Sequence, residues 1–410
     1  MFPAPHYREQ LSLMLSEVLD DIGVNEQMLM KKKRSLEKNE IDIITIMSLS
    51  EKNMTGCYLG SQIEGTTTKG LKSDIDGILC DNNYNVIQDL SEWKRGKVNY
   101  LLIQDANTTP GYCFLQLLQT YKPKPATKIP DDHHILVPER RKILCKNTFL
   151  NGTQHLSTGY KHHGPSISAN IEENCNADVV FAFPCKSWPQ SASGWLERQG
   201  TGGWPTQQMR KCAAETRCFV VPTGSKVSKY PELEWRISTS LAERHLMFNL
   251  NMTQIRCNVL LKMILKSFLN PHGEINISSY MIKTVLFHCI ENTEISIWKD
   301  KNLLTCVIFC LQELHICVQN EHCSHFIIPI NNLMAGQFSF ETNHELSGNI
   351  SDFIQNDRQC LLRIHTDDLG YRLQVKLNMV PQRVYRSDCS SLLFIMFAFN
   401  IFLFTLISLK

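Results

Sequence analysis

The sequence predicts an α+β protein of two lobes, one built on a mixed sheet and one all-helical, with a cleft where they meet. Three observations predict it. Apolar residues recur at helical spacing near the amino end (Leu11, Met14, Leu15, Val18, Leu19). Short apolar runs bounded by turn residues occupy the middle of the chain. Beyond Trp235 the pattern returns to long amphipathic helices. The division this suggests is residues 1–235 for the mixed lobe, 236–389 for the helical lobe, and 390–410 for an apolar tail.

The region from Tyr7 to Asn53 predicts one or two long helices leading into the turn at Gly60-Ser61. From Gly77 to about Leu118, runs such as Ile78-Leu79 and Tyr100-Leu101-Leu102-Ile103 alternate with turn residues and predict strands. Tyr121 to Pro138, carrying Pro123, Pro125 and Pro130, reads as a rigid surface connection, and Gly152 to Asn176 as a polar loop region. Ala177 to Phe183, rich in Val and Phe and ended by Pro184, predicts a strand. Helices are expected over Ser238–Leu250, Thr253–Leu269, Ser279–Glu291 and Trp298–Glu321.

Composition narrows the function classes. With 410 residues, 43% hydrophobic and 20% charged, the chain has the make-up of a folded globular protein. A formal charge of +2 gives no overall attraction to nucleic acid, so such binding needs a local patch. The one dense basic run, Lys31-Lys32-Lys33-Arg34, falls within what reads as a long first helix and reads as a solvated face. Sixteen cysteines are scattered from Cys57 to Cys389 without the density of a disulfide framework, which implies free thiols. Met1 to Asp20 lacks the unbroken apolar core of a secretory signal. Cys306, Cys310, Cys317 and Cys323, with His315, His322 and His325, lack paired zinc-ligand spacing and read as buried thiols and packing histidines.

One constellation carries coherent chemistry. Gly60-Ser61 forms a small turn whose hydroxyl and backbone N–H groups suit a phosphate. Ser73-Asp74-Ile75-Asp76-Gly77 follows, and a strand repeats every two residues, so Asp74 and Asp76 share one face while Ile75 points to the core. Two carboxylates so close call for a cation, and Mg²⁺ or Mn²⁺ with hard oxygen ligands fits. Asp178 lies within an apolar strand, where it either caps the strand end or supplies a third carboxylate. Three aspartates beside a phosphate turn suit in-line nucleotidyl transfer assisted by two metal ions.

These residues resemble the Mab-21 proteins, the family of cyclic GMP-AMP synthase and the cGAS-like receptors. The matching segments are Tyr58 to Gly65, Ser73 to Asp76, Asp178 with Phe183 to Pro189, Glu234 to Ser238 with Leu241 to Glu243, and Ser278 to Thr284. The resemblance implies a nucleotidyltransferase lobe and a helical Mab-21 lobe. It implies Asp74, Asp76 and Asp178 as catalytic metal ligands and Gly60-Ser61 as the phosphate turn. Arg236 would contact a nucleotide, Lys262 the donor phosphates and Ser278 a phosphate. Tyr280 would stack on a base without selecting it. Helix packing for Tyr280 and a solvated lysine at 262 remain the plain alternatives. ATP, GTP or other NTPs are the implied substrates, and double-stranded RNA is the candidate trigger. The synthase's zinc insertion uses one histidine and three cysteines before the helix holding Lys262. Here only His245 and Cys257 lie in that interval, so no structural zinc is expected. Thr223 stands after Val221-Pro222 where the synthase has lysine, and Asp74 replaces its first glutamate.

Leu392 to Leu409 is almost wholly apolar and would span about 27 Å as a helix at roughly 1.5 Å per residue, near the thickness of a thin bilayer. It reads as a tail anchor on a cytosol-facing protein, with a buried terminal helix as the alternative. The expected function is therefore a nucleotidyltransferase making a cyclic dinucleotide or short oligonucleotide. The alternative is a catalytically silent, membrane-tethered nucleotide-binding adaptor.

Overall fold

A computed structural model describes residues 5–49, 53–148, 160–172, 175–275, 277–382, 399–403 and 405–406. The expected amino-terminal helices are α1 (Pro5–Asp21) and α2 (Glu26–Leu49). Leu11, Leu15, Val18 and Leu19 of α1, four or three residues apart, are all buried. Each such side chain contributes roughly 1.5–3 kcal/mol, which fixes this face against the core.

The mixed lobe comprises β1 (Met54–Leu59), α3 (Gly60–Glu64), β2 (Ile75–Asp81), β3 (Tyr84–Ile87), β4 (Val98–Ile103), β5 (Tyr112–Leu117), β6 (His134–Val137) and β7 (Lys142–Cys145). It continues with β8 (Tyr160–His163), β9 (Ser166–Glu172), β10 (Cys175–Pro184), α4 (Ser193–Glu197), α5 (Gln207–Glu215), β11 (Phe219–Val221) and β12 (Glu234–Ser238). The main sheet path runs β1-β2-β10-β11-β12-β5-β4-β3, with β6-β7 attached through β5 and β8-β9 through β10. β10 is parallel to β2 and β3 to β4, while the other pairs are antiparallel. The sheet is mixed, as expected.

Two stretches expected to be irregular contain strands. β6 lies at the end of the proline-bearing connection, and the β8-β9 hairpin occupies most of the polar region before β10. The hairpin escapes a hydrophobicity reading because it adds to one edge of β10 and one face stays wet. In Ser166-Ile167-Ser168, only Ile167 is buried.

The helical lobe contains α6 (Ser240–Met247), α7 (Met252–Ile264), α8 (Ser279–Glu291), α9 (Leu303–Gln319), α10 (Phe340–Gln355), α11 (Asp357–Leu361) and α12 (Leu369–Lys376). α7 is its central helix, buried on nearly every side. Its start is fixed by a capping box: Asn251 accepts the Gln254 N–H and Gln254 accepts the Asn251 N–H, each at 2.9 Å. After Ile264 the chain continues as a π-turn over Leu265–Leu269, so the expected helix to Leu269 changes pitch at its end. Cys306, Cys310 and Cys323 are buried, and Cys257 and Cys310 bring their sulfurs to 4.0 Å.

The basic run on α2 is only half a solvated face. Lys31 and Arg34 are exposed, whereas Lys32 donates to the Thr67 carbonyl at 3.4 Å and Lys33 lies 5.4 Å over the Phe248 ring. Burial pushes the Lys32 pKa down to about 8. Of the expected tail anchor, residues 390–398, 404 and 407–410 lie outside the described residues. Residues 399–403 and 405–406 are helical, and Phe399, Phe402, Leu403 and Leu406 pack in the core cluster with α1, α2 and β1. For these residues the buried-helix alternative is the arrangement observed. Among the described residues, one helix, Asp300–Gln319, is long and apolar enough to cross a membrane. Half of it is buried within the helical lobe, as suits a core helix.

Candidate active site

The site starts at the end of β1. Gly60 adopts φ +79°, a left-handed conformation that glycine enters without strain. A Cβ on Gly60 would stand 1.9 Å from Asp76 Oδ2, so the absent side chain is also what lets the carboxylate approach the turn. α3 then carries Ser61 and Glu64 and ends at Gly65, whose left-handed backbone N–H returns to the Ser61 carbonyl. The following loop is tied down by Gln62, donating to the Ser73 carbonyl at 2.8 Å, and by the Thr67 and Ser73 hydroxyls at 2.7 Å.

β2 presents Asp76, with Asp74 two residues before it, and the parallel β10 pairs Asp178 directly opposite Asp76. Adjacent strands lie about 4.8 Å apart, so Asp178 and Asp76 are neighbours. Burial, followed by the charges of Asp178, Asp74 and Glu64, pushes the Asp76 pKa up to about 7, against an opposing pull from Lys283. Asp74 is also raised, chiefly by burial, although Asn176 donates its N–H to Asp74 Oδ1 at 3.2 Å. Ser168 donates its hydroxyl to Asp178. Among the described residues no three His, Cys, Asp or Glu side chains are already closed around one point as a ligand shell. The three carboxylates nonetheless fit a divalent cation in donor type and in charge. They crowd like charges together, and Asp74 and Asp178 would exchange a hydrogen bond apiece for the ion.

Lys262 reaches the same turn from α7. Its Nζ donates to Ser61 Oγ at 2.6 Å and to Thr66 O and Oγ1 at 2.9 and 3.0 Å, and burial pushes its pKa down to about 8. The plain alternative of a solvated lysine is therefore not what the fold provides.

The other expected residues sit apart. Arg236, Ser278 and Tyr280 line a cavity of about 720 Å³ that also touches Thr223, Glu243 and His325 but none of the three aspartates. Arg236 is exposed on β12. Ser278 is the N-cap of α8, its hydroxyl accepting the Met281 N–H at 3.3 Å. Tyr280 donates its hydroxyl to Glu243 Oε1 at 3.0 Å, and His325 Nε2 lies 2.7 Å from that hydroxyl. His325 Nδ1 accepts the Ile327 and Ile328 N–H groups at 3.1 and 3.0 Å, which assigns the ring proton to Nε2. Tyr280 thus has both a ring at the cavity and a hydroxyl locked into the fold.

Three residues missed by the sequence reading join the two halves. Lys283 Nζ lies 3.2 Å from Glu64, beside the aspartates, and 3.3 Å from Glu243, at the cavity wall. Burial disfavours the Lys283 ammonium, but the two carboxylates outweigh it and hold its pKa above the ordinary range. Burial likewise raises Glu243, and Lys283 and His325 more than reverse it, leaving Glu243 below its ordinary value. Spacing offered one hint: Lys283 follows Tyr280 by three residues, and Glu64 follows Ser61 by three, placing each on the same helix face as a predicted residue.

The sequence matches the Mab-21 protein nucleotidyltransferase domain over residues 102–249 and the Mab-21 protein HhH/H2TH-like domain over residues 255–352, together more than half the chain. The chain belongs to the Mab-21 family. Among relatives, it is 24% identical over 217 residues to the cyclic GMP-AMP synthase of Sus scrofa, covering 48% of this chain and 43% of that protein. With the Mus musculus synthase the figures are 24% over 215 residues, 48% and 42%. With the protein male abnormal 21 of Caenorhabditis briggsae they are 22% over 188 residues, 43% and 50%. The chain thus spans half or less of the curated relatives it matches. In this Mab-21 protein, β5, β12, α6 and part of β4 fall within the nucleotidyltransferase match, and α8, with Tyr280 and Lys283, falls within the helical one.

Proposed function

We propose that this Mab-21 protein is a divalent-metal-dependent nucleotidyltransferase that joins NTPs into a cyclic dinucleotide or short oligonucleotide, with double-stranded RNA as its trigger. The observation that carries this reading is the pairing of Asp178 with Asp76 across two parallel strands, beside Gly60-Ser61 and Asp74.

Asp74, Asp76 and Asp178 would hold Mg²⁺ or Mn²⁺. Such ions supply charge neutralisation at a transferring phosphoryl group and activate an attacking hydroxyl. Lys262 and Ser61 would bind the terminal phosphates, the ammonium adding charge where the hydroxyl adds direction. The cavity lined by Arg236, Thr223 and Tyr280 would orient a base and sugar, and the Tyr280 ring would stack on the base. Lys283, held between Glu64 and Glu243, fixes the cavity wall relative to the acidic turn. Residues 1–235 and 236–389 are the corresponding functional lobes.

The test is pyrophosphate release by the full chain with mixed NTPs, Mg²⁺ or Mn²⁺ and a panel including double-stranded RNA. Turnover abolished by EDTA and by Asp76→Asn supports the reading. Turnover unchanged in Asp76→Asn, or absent with every activator, overturns it.

A second reading, a catalytically silent nucleotide-binding adaptor, is favoured by one observation. Lys262 and Ser61 already satisfy each other, and Ser168 already engages Asp178. Metal-independent NTP binding without pyrophosphate release would establish it.

A further inference from the structure

Residues 399–403 and 405–406 occupy a groove shaped to receive them. Phe399 stacks against Tyr58 of β1 with ring centroids 5.0 Å apart. It also lies over Gly77 of β2, where any Cβ would come within 2.8 Å of the Phe399 ring. Beside this apolar contact sits a polar latch. Tyr58 donates its hydroxyl to Asn400 Oδ1, and Asn400 Nδ2 donates to Asn39 Oδ1 on α2 at 3.3 Å. Phe402, Leu403 and Leu406 are buried in the same cluster.

The segment does not have the composition of a helix meant only for this groove. A helix docked on a water-soluble body turns polar residues outward, yet the outward-facing Ile401 is 53% exposed. The neighbouring hydroxyl, Thr405, is satisfied within the helix by the Ile401 carbonyl at 2.9 Å, as suits a helix in lipid. The sequence from Leu392 to Leu409 contains no Asp, Glu, Lys or Arg and, as a helix, is close to bilayer length. Asn400, its one amide side chain, is the residue that the groove satisfies and that hydrocarbon would leave unpartnered.

We propose that the tail is a reversible membrane-binding segment with two mutually exclusive seats: the groove formed by α2, β1 and β2, and a lipid bilayer. Asn400, through Tyr58 and Asn39, sets the balance toward the groove. Because Phe399 and Asn400 rest on Tyr58 and Gly77, leaving the groove uncovers the opposite side of β1, which leads into Gly60, and of β2, which carries Asp76. Vesicle binding is independent of the chemistry proposed for the aspartates, so either can fail without the other.

The experiment uses the full chain with vesicles of phosphatidylcholine and phosphatidylserine, separated by flotation. A double variant, Asn39→Cys with Asn400→Cys, is compared oxidised and reduced, with the wild-type chain treated in parallel. The tail-to-α2 crosslink is expected to form and to keep the oxidised variant out of the floating fraction, while reduction restores binding. Asn400→Leu, which removes the latch and the polar group together, is expected to raise vesicle partitioning on the order of tenfold. Failure of the crosslink to form, equal flotation of the oxidised and reduced forms, no flotation of any form, or unchanged flotation of Asn400→Leu would each overturn the proposal.

Discussion

Lys262 Nζ donates to Ser61 Oγ at 2.6 Å, so a helix of one lobe ends its longest reach on the phosphate turn of the other. Among the described residues the ammonium has no carboxylate in hydrogen-bonding contact; its partners there are hydroxyl and carbonyl oxygens. Burial has already pushed its pKa down to about 8. A lysine needed in its charged form by a triphosphate should therefore impose an alkaline limb. We expect kcat/KM of the proposed transferase to fall as pH rises through about 8. Lys262→Arg, charged at every accessible pH, should lose that limb, and Lys262→Met should lower kcat/KM by about a hundredfold at pH 7. A pH profile of pyrophosphate release with all three proteins checks this.

Gly60 is committed twice, by its φ of +79° and by the Asp76 carboxylate occupying the space of a Cβ. Gly60→Ala adds about 1–2 kcal/mol of backbone cost and must displace Asp76. The expected outcome is a folded protein with a small loss of stability and a loss of at least tenfold in Mn²⁺ affinity, measured by titration calorimetry. Unchanged Mn²⁺ affinity would show that Asp76 is not a ligand.

Lys283 sits between Glu64 and Glu243, all three largely removed from water. Lys283→Met strands two buried carboxylates, a loss of about 3–5 kcal/mol by the usual cost of breaking a buried pair. Adding Glu243→Gln should recover part of it, since one stranded charge is then gone. Urea melts of wild type, Lys283→Met, Glu243→Gln and the double variant measure the recovery, and strict additivity would disprove the coupling.

How much of this could be read from the chain alone follows from where each interaction lies in sequence. Asp74, Asp76 and the Gly60-Ser61 turn are within seventeen residues of one another, and a two-residue strand period suffices to place them. α8 begins and ends where its apolar spacing and Ser278 cap dictate. The Lys283 bridge was invisible because Glu64 is 219 residues away and nothing local distinguishes a bridging lysine from a solvated one. The split between the aspartates and the cavity of Arg236 and Tyr280 was equally hidden, since a motif orders residues without separating them in space. The tail shows the remaining limit. Apolar composition states that Phe399 and Leu403 avoid water, and core and bilayer satisfy that demand equally well.

His325 supplies a pH dependence of stability. Its Nδ1 accepts two backbone N–H groups, so protonation there would break both. Burial pushes its pKa down to about 4, with Arg236, Lys283 and His288 adding to the shift and Glu243 opposing it. The unfolded chain takes up this proton near pH 6.5 and the folded one only near 4. The unfolded state therefore binds more protons between those values, and stability is lost as pH falls from about 6.5 toward 4. The full effect is up to about 3 kcal/mol. Asp76, raised to about 7, works in the opposite sense in the metal-free protein: its contribution is present at low pH and lost as pH rises through 7. The two therefore mask each other in wild type, and the difference between wild type and His325→Gln isolates the histidine. In urea melts from pH 7.5 to 4.5 in EDTA, that difference should shrink steadily as pH falls, because only wild type carries the histidine. A difference that stays constant across the range would mean that His325 titrates alike in the folded and unfolded chain.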